Sequence, residues 1–137
     1  MSAAGRMSEA EALLWRLDRD PALSGTFGCL TLLDRAPNFD RLRRRLARAA
    51  EQIPRLRQRV QSGPTPVIPP SWVDDPLFDI DFHVRRIALP KPATLERLRA
   101  LAALIVADPF ERTRPLWQIT VVEGLPAGRA ALIEKLH

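Results

Sequence analysis

Cysteine occurs once in the 137 residues, at Cys29, so no internal disulfide can form and the composition fits a reducing compartment. Set inside the apolar run GTFGCLTLL, that cysteine reads as buried filler, a small hydrophobe and not a nucleophile. Histidine is nearly as scarce, with only His83 and His137. Long apolar runs are missing too. The longest candidate, LAALIVA, falls far short of the ~20 residues that a membrane-spanning helix needs. The opening MSAAGRMSEAEALLW contains no apolar h-region, so the chain is expected to be unsecreted and cytoplasmic. Attachment to a membrane surface needs only a charged or amphipathic face and stays open.

What is present is a chain 46% hydrophobic, long enough for one sizeable core, and expected to be one compact unit or part of one. Its formal net charge is +5, carried mainly by arginine. That sign favours phosphate groups, nucleic acid or acidic lipid headgroups as partners, without pointing to a site.

Periodicity divides the chain into alternating helices and strands. Ser8 is placed to cap a short helix in SEAEALLWRLDRD, with Glu9 and Glu11 in the first turn where negative charge suits the helix dipole. Thr26 to Leu33 reads as a buried strand closed by the turn DRAPN. Asn38 can cap the next segment, where Leu42, Leu46, Ala49 and Ile53 recur at helical spacing and Arg41, Arg44, Arg45 and Arg48 fall away from that stripe. The proline-dense SGPTPVIPPSWVDDP is expected to be an extended surface connector. In FDIDFHVRRIAL, Phe78, Ile80, Phe82 and Val84 alternate with Asp79, Asp81, His83 and Arg85, which predicts a half-buried strand. From Thr94 a second amphipathic helix carries Leu95, Leu98, Ala102 and Ile105 on one stripe and ends before Pro109. The final segment reads as a β-hairpin around Gly-Leu-Pro-Ala-Gly. A sheet covered by helices, an α/β architecture, is therefore expected.

Candidate chemistry is thin at this level. Asp79, Asp81 and His83 at period two could gather around a metal or a shared proton, but a solvated strand face gives the same pattern. The Gly124 to Gly128 loop joins two strands, whereas a phosphate-cradling loop must run into a helix N-terminus, so it is read as a turn. The runs RLRRRLAR and RLRQR suggest a phosphate-binding surface, yet no aromatic residues are interleaved to stack on bases. Trp117, at the start of a strand, reads as a core or pocket-wall residue.

The order of several phrases is more telling. EALLWRLDRDP, PRLRQRV, WVDDPLFDIDFHVRRIALP, ADPFERTRPLW and LWQITVVEGLPAGRAALIEKLH follow one another from about Ser8 to His137. In that order they resemble the bacterial wax ester synthase/diacylglycerol acyltransferases, whose Pro-Leu-Trp motif, Gly-Leu turn and Gly-Arg-Ala strand precede a His-His-x-x-x-Asp-Gly signature. Pro115, Leu116 and Trp117 match the first motif, and His137 matches the first histidine of the signature. Glu111 stands where an aspartate is common, and Glu134 interrupts a strand that is usually apolar there.

The resemblance implies the N-terminal lobe of a chloramphenicol-acetyltransferase-like α/β sandwich, residues 1–137, cut off at the active-site motif. It implies acyl-CoA-dependent transfer of a fatty acyl group to diacylglycerol or a long-chain alcohol, with acyl-CoA as co-substrate, no resident cofactor and no metal. The second histidine of the signature is the implied general base, so the 137 residues alone are expected to be inactive. A peripheral position on the inner face of the plasma membrane or on a lipid droplet is compatible with this, and nucleic acid is not an expected partner. The contrasting reading is a non-catalytic basic module that binds anionic membrane or nucleic acid through Arg43, Arg44, Arg45 and Arg48.

Overall fold

Local signals set the element boundaries in the computed structural model, which describes residues 5–137. In chain order these are β1 (Gly5–Arg6), α1 (Glu9–Leu17), β2 (Phe27–Leu33), α2 (Phe39–Gln52), β3 (Gln58–Gln61), β4 (Ser71–Asp74), α3 (Ile80–His83), β5 (Val84–Ala88), α4 (Leu95–Ala107), β6 (Trp117–Glu123) and β7 (Ala130–Leu136). Ser8 caps α1 in a full capping box: its hydroxyl accepts from the Glu11 N–H at 3.2 Å, and the Glu11 carboxylate accepts from the Ser8 N–H at 2.7 Å. Hydrogen bonding by the Ser8 N–H, and after it by the Ser8 hydroxyl, holds the Glu11 carboxyl below the usual carboxylate range. Asn38 and Thr94 cap α2 and α4 with a single side-chain bond each, accepting from Arg41 N–H at 2.9 Å and Arg97 N–H at 3.2 Å.

The elements gather into two compact units. One comprises residues up to Gly25 together with Ala50–Phe78 and Glu111–Leu116. Its three-stranded antiparallel sheet has the order β1-β4-β3, and its core joins Met7, Ala12 and Trp15 to Val60, with Trp72 and Leu116 packed alongside. β4 corrects the expectation of a pure connector. The dense proline run pauses after Pro70, whose carbonyl accepts from the Met7 N–H, and Ser-Trp-Val-Asp then pairs with both β1 and β3. A four-residue strand is too short to show periodicity, so its partners define it.

The other unit holds Thr26–Ala49, Asp79–Phe110 and Trp117–His137 around a four-stranded sheet of order β2-β7-β6-β5. β6 and β7 form the expected antiparallel hairpin, from Trp117 opposite Leu136 to Val122 opposite Ala131. β5 lies parallel to β6 and reaches it through α4, a βαβ connection. Leu98 of α4 is fully buried against Val122, Ala131 and Ile133, with Leu30, Leu101, Ala102, Ile105 and Val106 packed around them. Burial of each large aliphatic side chain there stabilises by about 1.5–3 kcal/mol. Leu95, expected on the same stripe, lies at the helix mouth and is exposed.

Two further expectations are overturned in this unit. β2 is an edge strand and mostly exposed; Cys29 sits on its solvent side, within 3.8 Å of the Thr31 hydroxyl, and is not buried filler. The segment from Phe78 to Leu89 is not one strand. Asp79 accepts from the Asp81 N–H at 2.9 Å and starts a single helical turn, so the strand begins only at Val84. A side-chain cap therefore outcompetes the period-two pattern.

Gly28 lies where α4 crosses β2. A Cβ built there would stand 2.2 Å from Val106 Cγ2, and the β-branched valine has little rotamer freedom to withdraw. Gly28→Ala should therefore lower the unfolding free energy of the chain by about 1–3 kcal/mol. In urea titrations, Val106→Ala in that background should recover part of the loss; unchanged midpoints would contradict this packing.

Candidate active site

His137 directly follows β7 and is exposed. The residue before it, Leu136, is opposite Trp117 on one side and Phe27 on the other, which puts His137 and Trp117 at the same, open end of the hairpin. Trp117 is buried, and its indole stacks on His83 with ring centroids 4.6 Å apart and planes 16° from parallel. His83 Nδ1 lies 2.7 Å from the Trp117 carbonyl oxygen, so the imidazole is tied to the same residue through ring and backbone. Phe82 packs edge-on against it at 5.2 Å. His83 is thus a fully buried support under the start of β6 and not one of three groups on a solvated strand face.

The other two members of that trio are engaged elsewhere. Asp81 accepts from Arg43 through both carboxylate oxygens, the Nη2 contact measuring 2.9 Å, while Asp79 caps α3. The hydrogen bond from Arg43 lowers the Asp81 pKa, and the same bond raises that of Arg43. No group of three or more His, Cys, Asp or Glu side chains among the described residues could hold a metal ion.

Pro115, Leu116 and Trp117 are adjacent in sequence but serve different cores. Pro115 is fully buried and Leu116 packs against the Met7, Ala12, Trp15 and Val60 cluster, whereas Trp117 belongs to the sheet of the second unit. Just upstream, Arg112 donates to the Trp15 carbonyl at 2.9 Å and lies 3.5 Å over the Trp15 ring. Desolvation pushes its pKa down. Glu111 accepts from both the N–H and the hydroxyl of Thr113, at 3.2 and 2.8 Å, which closes a local turn. Those bonds hold its pKa below the usual carboxylate range.

Glu134, the awkward charge in the strand, is only half-buried. The buried ion is its neighbour Lys135, 2% exposed. Lys135 shares the helix-facing side of β7 with Ala131 and Ile133, and its ammonium donates to the Asp108 carbonyl at the end of α4 while lying 4.3 Å from the Phe110 ring centroid. This contact joins the end of α4 to the strand two residues before His137. The alternation of Ile133, Lys135 and His137 was the available signal for it.

An apolar groove of the second unit lies away from His137. This groove of about 580 Å³, lined by Leu32, Leu95, Leu98 and Leu125, lies at the turn end, one strand length away. The turn itself takes Gly124, Ala127 and Gly128 through positive φ, which joins the strands without a helix N-terminus to receive phosphate. No helix among the described residues is long and apolar enough to cross a membrane.

Comparison with known proteins agrees with this geometry. A family model described as the wax ester synthase/diacylglycerol acyltransferase catalytic domain matches residues 7–137. A Mycobacterium tuberculosis protein named for diacylglycerol O-acyltransferase activity is 40% identical over 127 residues, covering 93% of this chain and 26% of its own length. Another from the same species, named a probable diacylglycerol O-acyltransferase, is 38% identical over 135 residues, 96% of this chain and 49% of its own. The chain therefore spans about a quarter to a half of these relatives. Among solved structures, the wax ester synthase/diacylglycerol acyltransferase of Marinobacter aquaeolei VT8 superposes with TM-score 0.78 at 25% identity, over 97% of this chain and 33% of that one. The starter condensation domain of rhizomide synthetase reaches the same TM-score at 14% identity, which speaks to the fold alone. The fold is the α/β architecture of the chloramphenicol-acetyltransferase-like sandwich over one lobe.

Burial lowers the Lys135 pKa, because the charged form loses its water; the nearby Asp108 carboxylate opposes that shift and Arg85 adds to it. The unfolded chain then binds the proton more tightly than the folded one, so the penalty is fully present below the lowered folded pKa. It is relieved as pH rises from there toward the ordinary lysine value of about 10.4. Relative to Lys135→Met, the wild-type chain should gain stability across that alkaline window in urea titrations. A parallel pH profile for the two chains would place this ammonium in water.

Proposed function

Because the chain belongs to the wax ester synthase/diacylglycerol acyltransferase family, we propose that it forms the N-terminal lobe of an acyl-CoA-dependent O-acyltransferase. The reaction is transfer of a fatty acyl group to diacylglycerol or a long-chain alcohol, giving triacylglycerol or wax ester. The observation that carries this reading is the unbroken family match from residue 7 to His137, which ends on the hairpin strand leading to the candidate loop.

In this reading the β6–β7 hairpin is the stem that presents a His-His-x-x-x-Asp-Gly loop. His137 is its first histidine, and the residue after it in the family motif is the general base. That imidazole takes the proton of the acceptor hydroxyl as its oxygen attacks the thioester carbonyl. The tetrahedral adduct then collapses, the C–S bond breaks, and the departing thiolate receives the proton. A pKa near neutrality suits imidazole to both transfers. Pro115, Leu116 and Trp117 serve the site by fixing where β6 starts, with His83 beneath Trp117 and Lys135 holding the end of α4 to β7. Acyl-CoA enters as co-substrate, with no resident cofactor. The setting is cytoplasmic and peripheral to a lipid surface, the inner face of the plasma membrane or a lipid droplet, and nucleic acid is not a partner.

With labelled acyl-CoA and diacylglycerol, the 137 residues alone should form no ester above background, whereas a chain extended through the whole motif and the second lobe should make triacylglycerol. In the extended chain, Ala at the second histidine should lower the rate by about 10²–10⁴, and His137→Ala should cost less. Robust turnover by the 137 residues would remove the assigned base. Silence of the extended chain across diacylglycerols and fatty alcohols would remove the acyl-transfer reading.

A further inference from the structure

Most aromatic rings in this arginine-rich chain serve as platforms for its cations. Six of the eight phenylalanines and tryptophans lie under one: Trp15, Trp72, Phe39, Phe78, Phe82 and Phe110. Arg43 is taken by Asp81, and Arg86 by Glu123 at 3.0 Å. Much of the positive charge is therefore answered within the fold.

Four arginines of α2 are not. The side chains of Arg41, Arg44, Arg45 and Arg48 are exposed and make no hydrogen bond, ion pair or ring contact with any described residue. At 3.6 residues per turn these positions fall within an arc of about 100°, in a stripe about 10 Å long. Their spacings of three, four and seven residues place like charges side by side, an arrangement that destabilises a helix standing alone in water. The acids of α2, Asp40 and Glu51, form no ion pair with them. The half-buried Leu42, Leu46 and Ala49 occupy a different side of the helix.

We propose that this stripe is a docking surface for anionic phospholipid headgroups, with α2 lying along the membrane surface. Guanidinium groups bind phosphate oxygens bidentately, and four in a row on one convex helix meet a plane of phosphates without rearrangement. Nucleic acid fits less well. From Arg41 to Arg48 the helix holds only Arg, Leu and Ala, so nothing stacks on bases and no amide stands among the arginines to read base edges. The surface is independent of the catalytic machinery: acyl transfer could fail in every assay and these headgroups would still bind.

The test is flotation of the 137-residue chain with vesicles of phosphatidylcholine, alone or with about 30 mol% phosphatidylglycerol; each Arg→Gln change should weaken partitioning to the anionic vesicles about fivefold, and all four together several hundredfold. Raising the salt from about 0.05 M to about 0.5 M should release the chain. The quadruple Arg→Lys variant, which keeps the charge but loses the bidentate fork, should bind more weakly than the wild-type chain and more tightly than the quadruple Gln variant, and Arg97→Gln with Arg99→Gln on α4 should leave binding unchanged. Circular dichroism verifies that α2 persists in each variant. Equal binding to neutral vesicles, or wild-type binding by the quadruple Gln variant, would overturn the proposal. So would duplex DNA displacing the chain from anionic vesicles with the same sensitivity to the four substitutions.

Discussion

The pairing of β6 with β7 is the constraint on which the second unit depends. Three other elements there attach to these two strands: β2 to β7, β5 to β6, and α4 over Val122, Ala131 and Ile133. The side-chain period of a strand is two, so a slip of one residue would turn Glu134 toward α4 and expel Lys135, Ile133 and Ala131 from that face. The register is held from both ends. At the turn, Gly124, Ala127 and Gly128 adopt positive φ, and a Cβ at Gly124 would come within 3.0 Å of the Leu89 carbonyl oxygen. At the open end, His83 grips Trp117 by ring and carbonyl, and Lys135 ties β7 to Asp108.

The buried Lys135 and the half-buried Arg112 follow one pattern. Lys135 and Arg112 each lose water, and each recovers it with a backbone carbonyl on one side and an aromatic face on the other. A carbonyl and a ring supply partial negative charge without a second ion to desolvate, which avoids the double penalty of a buried salt bridge. The two lie on opposite sides of the Pro115-Leu116-Trp117 motif in sequence, one in each compact unit. The segment from Arg112 to Lys135 is therefore fastened once within each unit.

Much of the fold was legible because its signals are local. The caps at Ser8, Asn38 and Thr94 act within three residues, and the hairpin turn announces itself by its glycines and proline. The misreadings share a cause. In Phe78 to Arg85 the alternation was genuine, yet one bond from Asp79 to the Asp81 N–H turned four residues into a helical turn and sent His83 inward beneath Trp117. Ser71–Asp74 became a strand through partners ten or more residues away, and Cys29 became exposed because its strand lies at a sheet edge. At the candidate site, the ordered phrases drew attention to His137 and Trp117, while the contacts of His83 and Lys135 were not foreseen.

The sequence by itself determined where α1, α2 and α4 start, where the hairpin turns, the arginine arc of α2 and the family to which the ordered motifs belong. Those properties depend on neighbours within a few residues, or on motif order along the chain. Only the tertiary structure decided that Lys135 and not Glu134 is the buried charge, that His83 is a support and not a ligand, and that a proline-rich stretch ends in a strand. Each of those depends on which distant backbone supplies the hydrogen bonds and which face another element covers, and a linear pattern carries neither.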